Sequence, residues 1–420
     1  MKYLIHFSRI VVGNLFIFSG LVKANDPLGF SYKLEEYFVE FGMDWHWLEA
    51  ILVPLAAALC IVEIVLGIAV LLGYRMKQVS WVLLLMIIFF TILTGASAIF
   101  EIVRSCGCFG DAIPLTPWQS FYKDLILLAL ILVLFAKKSL IKPFEKISND
   151  IVYLSISGLI MLALSIMLSW NAVLYITLLI LGLTLVVKFV KPNSAAAFGT
   201  LFSLVVSTVF SAYAIEYLPY KDFRPYAIGK SIPEQMVLPE GAQPPVYENM
   251  LVYKNIKTGE EKEFTQEEYT KAKLWENKDW EWVSTESTMI EEGDVPKITD
   301  FSISTNAGED ITDLVLAKKS VLLIICYDLS LTDTEHLDDI NDLAKKARLN
   351  GTEVMALSSA GEEQALEFIR ENQLDFEFYI TDGIVLKTMV RSNPGLIYLE
   401  NGVVKGKWHE NDVPEIHELN

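Results

Sequence analysis

Long apolar runs fill the first half of the chain and end near residue 217. A bilayer core of roughly 30 Å is crossed by about 20 mostly apolar residues in helical form. Runs of about this length predict a membrane bundle of about seven transmembrane helices. Their expected bounds are 4–22, 50–73, 79–101, 120–136, 151–169, 172–190 and 196–217.

Three of these runs allow a second interpretation. The first follows Lys2 as a signal peptide would, but it ends in Gly20-Leu21-Val22-Lys23 and not in a small-residue cleavage site, so we expect an uncleaved helix. The runs 151–169 and 172–190 are separated only by two residues, so one long broken helix is the alternative to two spans.

The second half changes to a mixed pattern of short apolar strands and amphipathic helices. Alternation over 251–264 predicts a hairpin followed by a strand at 280–284, with Trp275, Trp280 and Trp282 supplying its buried surface. From residue 320 the order predicts a soluble α/β fold that ends in a hairpin about Asn401-Gly402. Its expected strands are 320–326, 352–358, 377–380, 395–400 and 403–408, and its helices are 334–349, 361–372 and 382–389.

These patterns divide the chain into four segments. Residues 1–137 would form a four-helix membrane module, and 138–218 would add three further transmembrane helices. Residues 219–294 would form a polar insertion containing the hairpin, and 295–420 would form the α/β domain.

Composition agrees with a membrane protein, since 53% of the residues are hydrophobic and the mean hydropathy is +0.39. Residues 221–420 carry 20 Lys and Arg against 39 Asp and Glu, a net charge of −19. So acidic a domain repels phosphates, and we expect neither nucleic acid nor anionic headgroups as its partner.

Basic residues in short loops mark the cytoplasmic side of a membrane protein. They predict a cytoplasmic N-terminus, and seven spans then place the acidic half outside, in the periplasm of a bacterial inner membrane. The basic residues concerned are Arg75, Lys77, Lys137, Lys138, Lys142, Lys146, Lys188 and Lys191.

The loop after the third span contains Cys106-Gly107-Cys108, and Thr116-Pro117 with Gln119 predicts a capping box that starts the next helix. Two thiols one residue apart close only a small, strained ring, which favours redox cycling. A static disulfide, a metal-ligand pair and two buried free thiols are the alternatives. A metal is disfavoured because this spacing supplies only two ligands.

Ionisable residues inside a bilayer are costly unless they are paired or hydrated. Glu63 lies midway along the second span, and Arg9 enters the first span at a similar depth, so a buried pair is feasible. Its functional interpretation is a proton or quinone site coupled to the thiols, and its structural one is a pair that fixes helix packing. Lys23 and Lys123 are expected to reach the headgroups, and Cys60 to be packing.

The first 137 residues resemble the DoxX family and its methylamine-utilisation branch, MauE. The resemblance implies a four-helix module associated with redox or disulfide maturation of periplasmic proteins. It rests on Arg9, Gly13, Phe16, Ser19, Gly20 and Lys23, on Glu63 with Gly67, and on Cys106-Gly107-Cys108-Phe109-Gly110.

Residues 295–415 resemble thioredoxin, in its peroxiredoxin and thiol-disulfide-reductase branch. The segment around Asn393-Pro394 matches the family's cis-proline loop, and a groove beside it would bind extended peptide. The expected CxxC falls at 330–333, where the terminal residues are Ser330 and Asp333, so this domain is predicted to be redox-inactive. Cys326 is expected to be buried and inert.

Two functions remain open from the sequence. The first is a thiol-disulfide relay through Cys106 and Cys108, with the soluble domain docking a periplasmic client and a quinone as a candidate cofactor. The second is a non-enzymatic accessory or scaffold subunit of a larger cell-envelope complex. A transporter is disfavoured, since one intramembrane acid and no inverted repeat are visible.

Overall fold

The structure is a computed structural model that describes residues 2–43, 46–100, 107, 109–243, 246–277, 279–291 and 293–419. Cys106 and Cys108 lie outside the described residues. Gly107, which separates them in sequence, is described.

Among the described residues, seven helices are long and apolar enough to cross a membrane, which confirms the predicted bundle. Ser169 adopts a left-handed φ of 49° and separates the fifth span from the sixth, so these are two helices and not one broken helix. The helices of this half are α1 Lys2–Ala24, α2 Pro27–Glu40, α3 His46–Leu72, α4 Met76–Phe100, α5 Pro117–Ala136, α6 Ile147–Leu168, α7 Ala172–Val190 and α8 Ala195–Glu216.

Helices α1 and α3 pack closely against each other through glycines on both helices. A Cβ added to Gly67 would lie 2.6 Å from the Gly13 carbonyl oxygen, and one added to Gly20 would lie 2.9 Å from the Cys60 carbonyl oxygen. Small residues let transmembrane backbones approach this closely. These glycines therefore fix the register between the two helices.

Helix α2 was not predicted, since residues 23–49 were expected to be a loop. Asp26 caps it by accepting the amide of Gly29, and proline occupies its first turn. Phe30, Leu34 and Tyr37 are spaced four and three residues apart and are buried. The signal for a short amphipathic helix was present, but the run is too short and polar to resemble a span.

The predicted hairpin and the strand after it form a three-stranded antiparallel sheet in the order β2-β1-β3. The expectation for its tryptophans was wrong in part, because Trp275 and Trp282 are 54% and 57% exposed. A sheet of three strands has too little area to cover them. Its elements are β1 Val246–Asn255, β2 Glu261–Thr265, the helix α10 Gln266–Ala272 and β3 Trp280–Glu291, and the short helix α9 Ile232–Gln235 precedes them.

The last 120 residues form a mixed sheet in the order β6-β5-β4-β7-β8. Strands β4, β5 and β6 are parallel, whereas β7 pairs antiparallel with β4 and β8 pairs antiparallel with β7. All the predicted strands and helices are present. They are α11 Thr312–Leu316, β4 Val321–Ile325, α12 Leu337–Leu349, β5 Glu353–Ser358, α13 Glu362–Asn372, β6 Phe378–Ile380, α14 Gly383–Met389, β7 Gly395–Glu400 and β8 Val403–His409.

Strand β4 is completely buried because both faces of the sheet are covered. Leu322 and Ile324 pack with α12 and α13, and Leu323 and Ile325 pack with α14. This explains why the strand is a continuous apolar run without alternation.

Candidate functional site at the junction of the two halves

Arg391, which directly precedes the Ser392-Asn393-Pro394 loop, joins the soluble domain to the membrane half. Its Nε lies 3.0 Å from both carboxylate oxygens of Asp26, and Nη2 lies 3.5 Å from Asp111. The side chain is only 6% exposed. One guanidinium thus ties the cap of α2 and the segment that follows Gly110 to the soluble domain.

Further contacts surround this ion-pair cluster. The hydroxyls of Tyr32 and Tyr327 lie 3.4 Å apart, and the Lys387 ammonium lies 5.0 Å from the centre of the Tyr32 ring. The side chain of Asn25 donates to the Lys221 carbonyl and accepts from its amide, at 2.7 and 3.0 Å. The soluble domain is therefore docked on α2 and on the end of α1.

The Asn393-Pro394 bond is cis, as the thioredoxin resemblance implied. The Asn393 side chain donates to the Asp328 carbonyl at 2.8 Å, and its own carbonyl accepts from the Asp333 amide at 2.8 Å. The loop is thus bonded to the segment in which the CxxC was expected. One main-chain acceptor of the predicted peptide groove is already used within the domain.

A cleft of about 660 Å³ opens where the two halves meet. Gly107 lies in its wall, so the backbone between the two loop cysteines borders this cleft. Side chains of both signs line it, among them Lys23, Asp111, Arg224, Lys387 and Arg391.

Asp222 holds a second buried charge cluster beside the cleft. Its carboxylate binds Arg224 at 2.7 Å and Lys407 at 2.6 Å. The two cations hold the pKa of Asp222 well below its usual range, whereas burial and the Arg224 charge lower the pKa of Lys407 to about 7. Residues from the segment predicted as an insertion thus pack against β8.

The titratable groups behind the proline loop are shifted by burial. Burial raises the pKa of Glu410, which accepts from the Ser392 hydroxyl at 3.0 Å, to about 7. Burial lowers the pKa of His409 to about 4. It raises the pKa of the Cys326 thiol to about 12, and the expectation of a buried cysteine is confirmed.

Inside the membrane half, Glu63 pairs with Lys23 and not with Arg9, so the feasible Arg9–Glu63 pair is not formed. Lys23 and Glu63 are each 3% exposed, and the expectation that Lys23 reaches the headgroups was also wrong. Arg9 instead donates to the carbonyls of Val70 and Leu71 at 3.1 and 2.8 Å. The glycine contacts between α1 and α3 set the register of these helices. In this register Glu63 lies beside Lys23, in the last turn of α1.

A second buried acid was missed. Asp124 on α5 is 1% exposed, pairs with Lys123 at 2.5 Å and accepts from the Thr94 hydroxyl at 3.1 Å. In the sequence, an Asp beside a Lys near the start of a span resembles a membrane boundary. The packing of α4 on α5 buries the carboxylate instead.

These two ion pairs line one narrow cavity of about 40 Å³. The polar residues in its described lining are Ser19, Lys23, Tyr37, Glu63, Thr94, Lys123 and Asp124. Phe30 and Gly107 also line it and, together with Lys23, border the cleft above. The cavity and the cleft therefore share part of their lining and are adjacent.

The fold and these sites define a multi-pass membrane protein with a soluble domain docked on one end of its bundle. Residues 1–137 match the model of the family described as methylamine utilisation protein MauE, which supports a MauE-type membrane protein. No curated protein and no solved structure matches the chain.

Proposed function

We propose that this protein belongs to a periplasmic redox or disulfide-maturation pathway of the inner membrane, with Cys106 and Cys108 as its exchanging thiol pair. The main support for this proposal is that Gly107 lies in the wall of the 660 Å³ cleft. A client segment bound there would lie next to the loop. The MauE match over the same module supports this assignment.

The proposed reaction is thiol-disulfide exchange. A client thiolate attacks one sulfur of the Cys106–Cys108 disulfide, which breaks that bond and forms a mixed disulfide. The second client thiolate then displaces the loop cysteine. The client loses two electrons and becomes a disulfide, while the loop gains them and becomes a dithiol; the reverse direction balances equally.

A quinone does not fit the cavity beneath the loop. An apolar cavity of about 150 Å³ binds benzene, whereas this one measures about 40 Å³. The proposed exchange therefore uses no quinone bound in this cavity.

The soluble domain would be a thioredoxin-like domain that has lost its thiols and acts by docking. The mixed five-stranded sheet, covered on both faces, supports this proposal. The domain forms one wall of the cleft through Lys387 and Arg391, so a client would be held between it and the loop.

Trapping thiols in cells tests the relay. Acid quenching followed by a mass-tagging maleimide should show Cys106 and Cys108 partly reduced, and a Cys106→Ser/Cys108→Ser variant should leave client disulfides unformed. A Cys60→Ser/Cys326→Ser variant is the matched control, since both of these thiols are fully buried. A fully oxidised loop together with normal clients in the loop variant contradicts the relay.

That outcome would favour the second candidate, an accessory or scaffold subunit of an envelope complex. The buried Cys326 and the internally bonded Asn393 carbonyl favour it, because the soluble domain then offers neither a thiol nor that acceptor. Affinity purification from membranes in mild detergent should then recover a stoichiometric complex that survives the Cys106→Ser/Cys108→Ser substitution.

A further inference from the structure

Glu63, in the cavity beneath the loop, has a carboxylate oxygen whose hydrogen-bonding capacity is unused. One oxygen of Glu63 bonds to Lys23, and the other, Oε2, has no hydrogen-bond partner among the described residues. A buried polar atom of this kind is costly unless water or another donor satisfies it. Glu63 also lines the cavity.

The cavity has the properties of a water site. A water needs roughly 10–15 Å³ and two to four polar partners, so about 40 Å³ holds a small cluster. Glu63, Lys23, Thr94 and Asp124 supply the partners. Lys23, Phe30 and Gly107 border both this cavity and the cleft, so the water-filled cleft is adjacent to it.

We propose that this cavity is a hydrated proton site, in which Glu63 takes up and returns the protons that move during thiol exchange at the neighbouring loop. This inference rests on the proposed function. An attacking client thiol passes its proton through water to the Glu63 carboxylate and becomes a thiolate. The leaving loop thiolate later receives that proton, so no proton is gained or lost overall.

The surroundings of Glu63 allow its charge to change. Lys23 lies 5.0 Å from the centre of the Phe30 ring and 4.9 Å from that of Phe90, so cation–π contacts hold it even when Glu63 is protonated. The titratable groups facing the cavity are Lys23 from α1, Tyr37 from α2, and Lys123 and Asp124 from α5, while α4 contributes Thr94 to the described lining. Cys60 lies one turn away on α3.

The test measures exchange by the full chain in lipid nanodiscs with dithiothreitol as the model dithiol, across pH 5.5–9. Glu63→Gln should lower the rate by at least about tenfold and change the shape of the pH profile, as loss of a general acid–base does. Glu63→Asp, which keeps a carboxylate, should recover part of the rate. Asp150→Asn is the matched control, because it breaks the Lys188–Asp150 pair near the other end of the bundle and should leave the profile unchanged.

A paired substitution separates proton transfer from folding. Replacing a buried ion pair with apolar residues of similar size is often neutral for stability. Lys23→Met/Glu63→Met should therefore remain folded, and its exchange should stay slow if Glu63 carries protons. Wild-type exchange rates in this variant, or an unchanged pH profile in Glu63→Gln, would overturn the proton site alone. A wild-type protein that exchanges no thiols would overturn both the proton site and the proposed function.

Discussion

At the scale of single residues, burial and neighbouring charges decide which ionisable groups can act. Cys326 directly follows β4, which is buried on both faces, and its raised pKa keeps it a thiol at neutral pH. Glu63 is also buried but lines a cavity that shares residues with the cleft. The difference that we propose between the two groups is access to water, which residue type does not reveal.

Glu410 gives a prediction about pH. Burial raises its pKa in the folded protein to about 7, above the ordinary value of 4.5, so its contribution to stability is present below pH 4.5 and lost as pH rises through 7. Glu410→Gln should remove that loss and raise the melting temperature at pH 8 relative to wild type. The shift corresponds to at most about 3 kcal/mol, and less because the side chain is partly exposed.

Tryptophan fluorescence melts of the full chain at pH 5 and pH 8 measure this effect. Glu415→Gln is the control, since Glu415 is 81% exposed and should follow wild type at both values. An identical pH dependence in Glu410→Gln and wild type would show that another group is responsible.

At the scale of elements, two contacts position the candidate site: the glycine contact between α1 and α3, and the Arg391 junction with α2. The first sets which residues of the bundle face each other, and thereby pairs Glu63 with Lys23. The second holds the soluble domain above the loop. Both are made by residues far apart in sequence.

Gly67→Ala should destabilise the bundle, because the added Cβ meets the Gly13 carbonyl at 2.6 Å and Ile17 at 2.7 Å. Overpacking of this kind costs about 1–3 kcal/mol. Gly182→Ala is the matched helical control, since nothing among the described residues lies within 4 Å of its Cβ, and it should be neutral or stabilising. Detergent-solubilised melting temperatures followed by size-exclusion chromatography compare the two, and equal values would refute the close approach.

Arg391→Ala should weaken the junction, because Asp26 and Asp111 lose their shared cation. Loss of hydrogen bonds to charged groups costs about 1–3 kcal/mol. Limited trypsin digestion should then cut faster at Lys33 on α2, which lines the cleft. Lys345→Ala, which removes a half-exposed pair within the soluble domain, should digest like wild type. Unchanged protection in Arg391→Ala would mean that other contacts hold the domain.

At the scale of the whole molecule, seven spans place the two ends of the membrane half on opposite sides. At one of these ends, Lys188 bonds to the Phe144 carbonyl and to Asp150. At the other end lie the loop, α2 and the soluble domain. This separation, together with the basic inner loops, leads us to expect a cytoplasmic N-terminus and a periplasmic soluble domain.

Cysteine labelling tests the orientation. In a background with all four native cysteines replaced by serine, an impermeant maleimide should label Lys405→Cys in intact spheroplasts. It should label Lys191→Cys only after the membrane is opened, because both positions are exposed in the structure but lie on opposite sides of the predicted bilayer. Labelling of Lys191→Cys in intact cells would reverse the topology.

The sequence by itself determined most of the elements, though not α2, because the length of an apolar run and its period depend only on local residues. It gave the seven spans, the strands and helices of the α/β domain, the Thr116 capping box and the loss of the CxxC. Tertiary structure alone decided that Glu63 meets Lys23, that Asp124 is buried, and that α2 docks on Arg391. These pairings depend on the register between segments that are distant in sequence. The close approach of the backbones sets that register, and no local sequence pattern encodes it.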